Sequence, residues 1–280
     1  MRIGGAVMKP WHTPEEWLKW QRELTASAVI FPVQCDSPVA LQEEYLACIR
    51  ENGLVIGEVG IWRNVLDEDP EKQRENIDYA IEQLALAERV GANCCVNISG
   101  SRGAAVWDGY HPSNYTAEIY DRIVELTRMI IDTVKPVKTK FALEPMPWML
   151  PDSPESYLKL LRDVDRPAFG VHMDYTNMVN SLERYHGSRA FIRHCFELLG
   201  DRICSIHLKD AKLGDGDLPL CIREVIPGRG AFDLADIVRC CESVSPEVTV
   251  FTEHLNSHEE YLEAIGAIRA AGESAGVRIL

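Results

Sequence analysis

The chain has 280 residues, 46% of them hydrophobic, which is enough to bury one sizeable core. Its formal net charge of −14 opposes binding to a phosphate backbone, so we expect no nucleic-acid partner. The sequence has no run of about 18 apolar residues, and residues 1–10 lack the layout of a signal peptide. We therefore expect no membrane partner and a cytoplasmic location.

Eight short apolar runs, each followed by a segment of helical periodicity, dominate the sequence. The predicted strands are Arg2–Val7, Ser27–Phe31, Leu54–Glu58, Asn93–Asn97, Thr139–Glu144, Phe169–Asp174, Ile203–Leu208 and Val248–Glu253. Helices are predicted to start after the capping residues Thr13, Ser153 and Ser257. A proline directly follows Thr13 and Ser153, and a glutamate lies three residues after Thr13 and Ser257. This alternation predicts one α/β domain over residues 1–280, a (β/α)₈ TIM barrel. A doubly wound open sheet is the alternative, although the first strand is not followed by GxGxxG.

The fifth to eighth predicted strands each finish on a residue that can bind a metal. These residues are Glu144, Asp174, His207 and Glu253. Because the active sites of such barrels lie at the carboxyl ends of the strands, we expect the four side chains to converge. Three converging carboxylates repel one another unless a cation lies between them. Three oxygen ligands and one imidazole suit one divalent ion, Mn²⁺, Mg²⁺, Co²⁺ or Zn²⁺. The alternative is a set of ordinary rim groups paired with Lys or Arg.

In this series of strand ends, the chain resembles the xylose isomerase-like superfamily of sugar isomerases and epimerases. The likeness follows the order of the units over the whole chain and is most specific from Lys140 to Leu255. It implies a Mn²⁺-type site acting on a keto-sugar or sugar derivative through an enediolate. The resemblance also implies that Glu144 and Glu253 bind the metal and act as the acid/base pair.

Seven further side chains are predicted to contact the substrate: Glu58, Asn97, Trp148, His172, Asn177, Lys209 and Arg229. Lys209 lies two residues after His207 and shares its face, so it is expected to meet a substrate oxyanion or, alternatively, a rim carboxylate. His172 similarly shares a face with Asp174, one layer deeper. Asn177 stands where the sugar epimerases carry a histidine, which is a departure from their pattern.

Several functions remain open on the sequence alone. The first is a sugar isomerase or epimerase, and the alternative is a metal-dependent lyase that dehydrates, decarboxylates or eliminates from a 3-oxo sugar derivative. A nuclease of the endonuclease IV kind is disfavoured, because the first four strands end without histidine. A non-catalytic sugar-binding barrel would leave the metal set without a purpose. The partner is expected to be a small sugar-like molecule, and a homo-oligomer is left open.

Overall fold

The computed structural model describes residues 1–103, 105–214, 216 and 219–280. Within these residues, eight parallel strands form one sheet in the order β1-β10-β7-β6-β5-β4-β3-β2. The strands of this sheet are β1 Arg2–Gly5, β2 Ala28–Ile30, β3 Val55–Gly60, β4 Cys94–Asn97, β5 Lys140–Leu143, β6 Phe169–Met173, β7 Ile203–His207 and β10 Thr249–Thr252. The bond from Ser27 N to Ile3 O, 2.9 Å long, links β2 to β1 and brings the two edges together. The predicted (β/α)₈ barrel is confirmed.

Helices surround the sheet and connect its strands. They are α1 Pro14–Glu23, α2 Val39–Glu51, α3 Pro70–Val90, α4 Ala117–Val134, α5 Pro154–Val164, α6 Tyr175–Met178, α7 Leu182–His186, α8 Ser188–Leu199, α9 Leu234–Val244 and α10 His258–Ala275. The predicted caps are confirmed, since the side chains of Thr13, Ser153 and Ser257 each accept a bond from a backbone N–H of the first turn. None of the described helices is long and apolar enough to cross a membrane.

Two departures from the predicted elements bear on the site. Strand β3 continues to Gly60, so Glu58 lies inside the strand and not at its end. The second departure is an antiparallel hairpin after β7, formed by β8 Asp210–Leu213 and β9 Ile222–Val225. The hairpin was not predicted, and it lies over the carboxyl ends of the strands, where Glu224 comes within 3.6 Å of Lys209.

Candidate metal centre and active site

Four side chains meet at the carboxyl ends of the barrel strands. Glu144 follows β5, Asp174 follows β6, His207 ends β7 and Glu253 follows β10. One potential ligand atom from each lies within 4.8 Å of those of the other three. The structure therefore brings together the four residues that the strand-end pattern singled out.

The imidazole of His207 lies at the centre of this group. Its Nδ1 atom is 3.0 Å from Glu253 Oε1, 3.5 Å from Glu144 Oε1 and 4.0 Å from Asp174 Oδ2. Its other ring nitrogen, Nε2, faces away from these carboxylates and lies 3.4 Å from Glu58 Oε2. The ring thus separates the three carboxylates above it from a fourth carboxylate deeper in the barrel.

The donor atoms in this group fit a divalent cation. Asp174 Oδ1 accepts the backbone N–H of Asn177 as the cap of α6, at 3.0 Å, which leaves Oδ2 directed at the group. Asp174 Oδ2, His207 Nδ1 and Glu253 Oε1 are buried and converge, and among the described residues their close contacts are with one another and with the Lys209 ammonium. Three carboxylates bring more negative charge together than one ammonium neutralises, which favours a further cation between them. Oxygen and imidazole donors of this kind suit a divalent ion such as Mn²⁺ or Mg²⁺.

Burial and mutual charge shift the pKa values of the group in opposite directions. Burial, together with the Glu253 carboxylate, raises the pKa of Glu144 to about 7. Burial also acts to raise the pKa of Glu253, but His207 and Lys209 outweigh it and hold that pKa well below its usual range. Burial lowers the pKa of His207, but Glu253, Glu58 and Glu144 outweigh it and raise that pKa well above the ordinary value. Two carboxylates in one group thus differ in their affinity for a proton.

Lys209 is 1% exposed and forms ion pairs with the Asp174 and Glu253 carboxylates. The first expectation from the sequence was a contact with a substrate oxygen instead. The Lys209 Nζ atom lies 2.7 Å from Asp174 Oδ2 and is also paired with Glu253 Oε1. This arrangement corresponds to the alternative of a salt bridge with rim carboxylates. The ammonium partly neutralises the negative charge that the three carboxylates bring together.

A cavity of about 560 Å³ opens above the group. Its walls include Trp62, Trp107 and Trp148 from three separate loops, and the Trp148 ring is 36% exposed, with its Nε1 atom donating to Asp108 O at 2.7 Å. Asn177 also lines the cavity, and its amide donates to Glu144 Oε1 at 3.1 Å. Trp148 and Asn177 therefore lie where substrate contact was predicted.

Four other predicted substrate residues are placed differently. The Asn97 amide accepts from Arg63 N at 3.1 Å and donates to Arg63 O at 3.0 Å, so it holds the loop after β3. Arg229 forms two bonds to Glu263, 2.6 and 2.7 Å long, with its side chain 61% exposed. His172 is fully buried below His207, and burial lowers its pKa to about 4. Glu58 touches the floor of the cavity but is 1% exposed.

Two residues at the mouth were not assigned a role from the sequence. His254 follows Glu253 with a φ of 57°, and its ring lies 3.4 Å from Glu253 Oε1 and 3.2 Å from Glu224 Oε2. Glu224 comes from the unpredicted hairpin, so no strand-end pattern pointed to it. In the sequence, the position of His254 directly after Glu253 was the one indication that its side chain lies at the mouth of the cavity.

The turn at residues 227–233 is held by the Asp210 carboxylate. Its Oδ2 atom accepts from Gly228 N at 3.0 Å and Gly230 N at 2.9 Å, and its Oδ1 atom accepts from Ala211 N at 2.9 Å and Phe232 N at 3.1 Å. A Cβ on Gly230 would lie 2.1 Å from Asp210 Oδ1, which explains the glycine. These N–H groups bind a carboxylate of the chain itself and do not face the cavity.

Comparisons with known proteins agree with this fold. A family model described as a xylose isomerase-like TIM barrel matches residues 9–271. A solved xylose isomerase-like TIM barrel protein from Mycobacterium smegmatis, in complex with magnesium, is 18% identical with a TM-score of 0.69 over 94% of this chain and 90% of that one. A 3-keto-D-glucoside 4-epimerase from E. coli is 14% identical with a TM-score of 0.70, over 96% and 99% of the two chains. A D-psicose 3-epimerase is 13% identical with a TM-score of 0.70, over 99% and 100%. No curated protein sequence matches significantly.

Proposed function

The chain belongs to the xylose isomerase-like TIM barrel family, and from that premise we propose that it is a divalent-metal-dependent sugar isomerase or epimerase acting on a keto-sugar or sugar derivative. The observation that carries this proposal is the convergence of Glu144, Asp174, His207 and Glu253 within 4.8 Å. Three of their donor atoms are buried, and the nearest cation among the described residues is the single ammonium of Lys209. A sugar-binding module without catalysis would have no need of such a group below its cavity.

In this proposal the four side chains hold one ion, for which Mn²⁺ is favoured and Mg²⁺, Co²⁺ or Zn²⁺ are alternatives. When bound, the ion would supply Lewis-acid stabilisation of negative charge on the carbonyl and hydroxyl oxygens of the substrate. The similar Mycobacterium smegmatis protein was crystallised with magnesium, which supports a divalent ion in this fold. Lys209 would keep the Asp174 and Glu253 carboxylates oriented through its ion pairs.

Glu144 and Glu253 are proposed as the acid and base. They follow β5 and β10, which are separated in the sheet by β6 and β7, so their carboxylates approach His207 from different strands. One would remove the proton from the carbon next to the carbonyl, forming an enediolate, and the other would return a proton to the opposite face. Asn177 would orient Glu144 through its bond to Oε1. Trp148 would pack against the sugar in the cavity.

Solvent-deuterium exchange tests this proposal directly. The metal-loaded protein is incubated with a panel of keto-sugars and 3-oxo sugars in D₂O, and deuterium at the carbon next to the carbonyl is measured by NMR together with the products. We expect exchange and epimerisation in the wild type, with losses of about 10²–10⁴-fold in Glu144→Gln and Glu253→Gln. Glu75→Gln, an exposed site on α3, is the matched control and should retain full activity.

The products separate the two classes of reaction. Epimerised sugar with deuterium at one carbon supports the isomerase or epimerase. Loss of water, CO₂ or an aglycone would instead identify a lyase built on the same group of residues. Exchange that persists unchanged in both glutamine variants would rule out Glu144 and Glu253 as the acid/base pair.

A further inference from the structure

A second cluster of polar side chains lies inside the barrel, directly below the metal-binding group. Glu58 on β3, His172 on β6 and His207 on β7 offer ligand atoms within 4.8 Å of one another, and all three are buried. Glu58 is far from His207 in sequence, but the barrel brings its Oε2 atom to 3.4 Å from His207 Nε2. A carboxylate in the interior of a barrel is costly unless it has a defined partner.

We propose that Glu58 is a positioning residue that fixes the orientation and the ring proton of His207, so that the Nδ1 lone pair faces the metal-binding group. This inference rests on the proposed function for the identity of that group. Glu58 itself touches neither the metal nor the substrate in this arrangement. Its role is exerted through His207.

The two ring nitrogens of His207 face different groups. A neutral imidazole carries one N–H and one lone pair, so a ring that coordinates through Nδ1 must keep its proton on Nε2. Nδ1 faces Glu144, Asp174 and Glu253, whereas Nε2 faces Glu58. An ionised carboxylate only accepts hydrogen bonds, so Glu58 selects the ring form that has its proton on Nε2. Metal-bound histidines commonly donate their second N–H to such a carboxylate.

The Glu58 carboxylate is itself held in place. Its Oε1 atom accepts a bond from the Ser205 hydroxyl and lies 3.5 Å from His172 Nδ1, while Oε2 faces His207. Ser205 and His207 lie two residues apart on β7, so one strand supplies both the group that is oriented and a group that anchors Glu58. The ring of His172 packs edge-on against that of His207, with centroids 4.1 Å apart, so His207 is in contact on this side as well.

Two other roles for Glu58 fit the contacts less well. A substrate hydroxyl would need access to the Glu58 carboxylate, which is 1% exposed and is already in contact with Ser205 and His207. A second metal between Glu58, His172 and His207 would require a lone pair on Nε2 of His207 while Nδ1 also coordinates the first ion. That arrangement needs a doubly deprotonated ring, whereas the positioning role leaves the ring neutral.

The test compares Glu58→Met, which fills the volume without an acceptor, with Glu58→Gln, which keeps one carbonyl oxygen. In protein labelled with ¹⁵N-histidine and loaded with Mg²⁺, long-range ¹H–¹⁵N spectra should show a slowly exchanging His207 Nε2–H. We expect that resonance to be lost or to exchange rapidly in Glu58→Met. Metal affinity, measured by calorimetry with Mn²⁺, should fall about 10–100-fold, with Glu58→Gln intermediate. The control Glu75→Gln should match the wild type in both measurements.

The outcomes separate this inference from the proposed function. If the wild-type protein binds no divalent ion, the proposed function fails, but a faster exchange of the His207 Nε2–H in metal-free Glu58→Met than in metal-free wild type would still show that Glu58 holds that proton. A His207 that lacks the Nε2 proton in the wild type would overturn the inference, as would a folded Glu58→Met variant with unchanged metal affinity. Two bound ions per chain would also overturn it in favour of a second metal site. If Glu58→Met does not fold, the wild-type spectrum and Glu58→Gln decide the question.

Discussion

Replacing Asp210 with asparagine should loosen the turn at residues 227–233 that joins the hairpin to α9. Each carboxylate oxygen accepts two backbone N–H groups, Oδ2 from Gly228 and Gly230 and Oδ1 from Ala211 and Phe232. Asparagine keeps one oxygen and puts an NH₂ group in place of the other. Whichever way the amide turns, two N–H donors then face a donor and lose their acceptor.

The expected cost follows from these two lost bonds. Hydrogen bonds to a charged acceptor contribute about 1.5–3 kcal/mol each, so Asp210→Asn should destabilise the fold by about 3–6 kcal/mol. The entropy of unfolding for 280 residues is about 0.6 kcal/mol per kelvin, so Tm should fall by about 5–10 °C. Calorimetry of wild type and variant measures this shift. The control is Asp201→Asn, which changes an exposed aspartate in the turn between α8 and β7 and should shift Tm by less than about 1 °C. A Tm for Asp210→Asn equal to that of the control would show that the Asp210 carboxylate does not stabilise the turn.

Three other predictions concern an ion pair between α8 and α9, the cavity wall and a buried tyrosine. The guanidinium of Arg193, with that of Arg189, lowers the pKa of Asp236 to about 2; because both arginines are half exposed, Asp236→Asn should cost about 1 kcal/mol in urea unfolding at pH 6. That difference should be constant above about pH 5 and should disappear as the pH falls through about 2. A difference that grows in acid would contradict this prediction. Trp148→Ala should raise KM for the sugar more than it lowers kcat in steady-state kinetics, since the ring forms a wall of the cavity; an unchanged KM would exclude substrate packing there. Tyr157→Phe should destabilise the protein by about 1–3 kcal/mol in thermal unfolding, because the hydroxyl bonds to backbone groups of β5 and β6, and a neutral effect would show that those groups find other partners.

The four metal-binding candidates could be located from the sequence because of a simple regularity of parallel barrels. The carboxyl ends of all strands meet at one edge, so a strand boundary correct to within one residue suffices for Glu144, Asp174, His207 and Glu253. Asn177 was singled out by the resemblance to the sugar epimerases, and its side chain lines the cavity. The period of two along β7 also put Lys209 on the side of His207, although its charge partners depend on the other strands.

The residues that were misplaced depend on contacts between distant segments. Glu58 was expected at a strand end, but β3 runs two residues further, and those two residues move its carboxylate from the rim to the interior. Arg229 follows the site closely in sequence, yet Glu263 on α10 holds its side chain at the surface. The hairpin escaped prediction because Asp210 anchors its return through N–H groups 18–22 residues away. No local pattern reports such a contact.

We propose that Glu144, Asp174, His207 and Glu253 together bind one divalent ion. Calorimetric titration of metal-stripped protein with Mn²⁺, in wild type and in Asp174→Asn, measures this binding. The wild type should bind one ion per chain, because its three carboxylates and one imidazole supply four ligands. Asp174→Asn should bind at least about tenfold more weakly, since it removes the charge of a carboxylate whose Oδ2 atom is directed at the other three ligands. A wild type that binds no divalent ion would show that the four residues form no metal site. An Asp174→Asn variant that binds the ion with equal affinity would show that Asp174 is not a ligand.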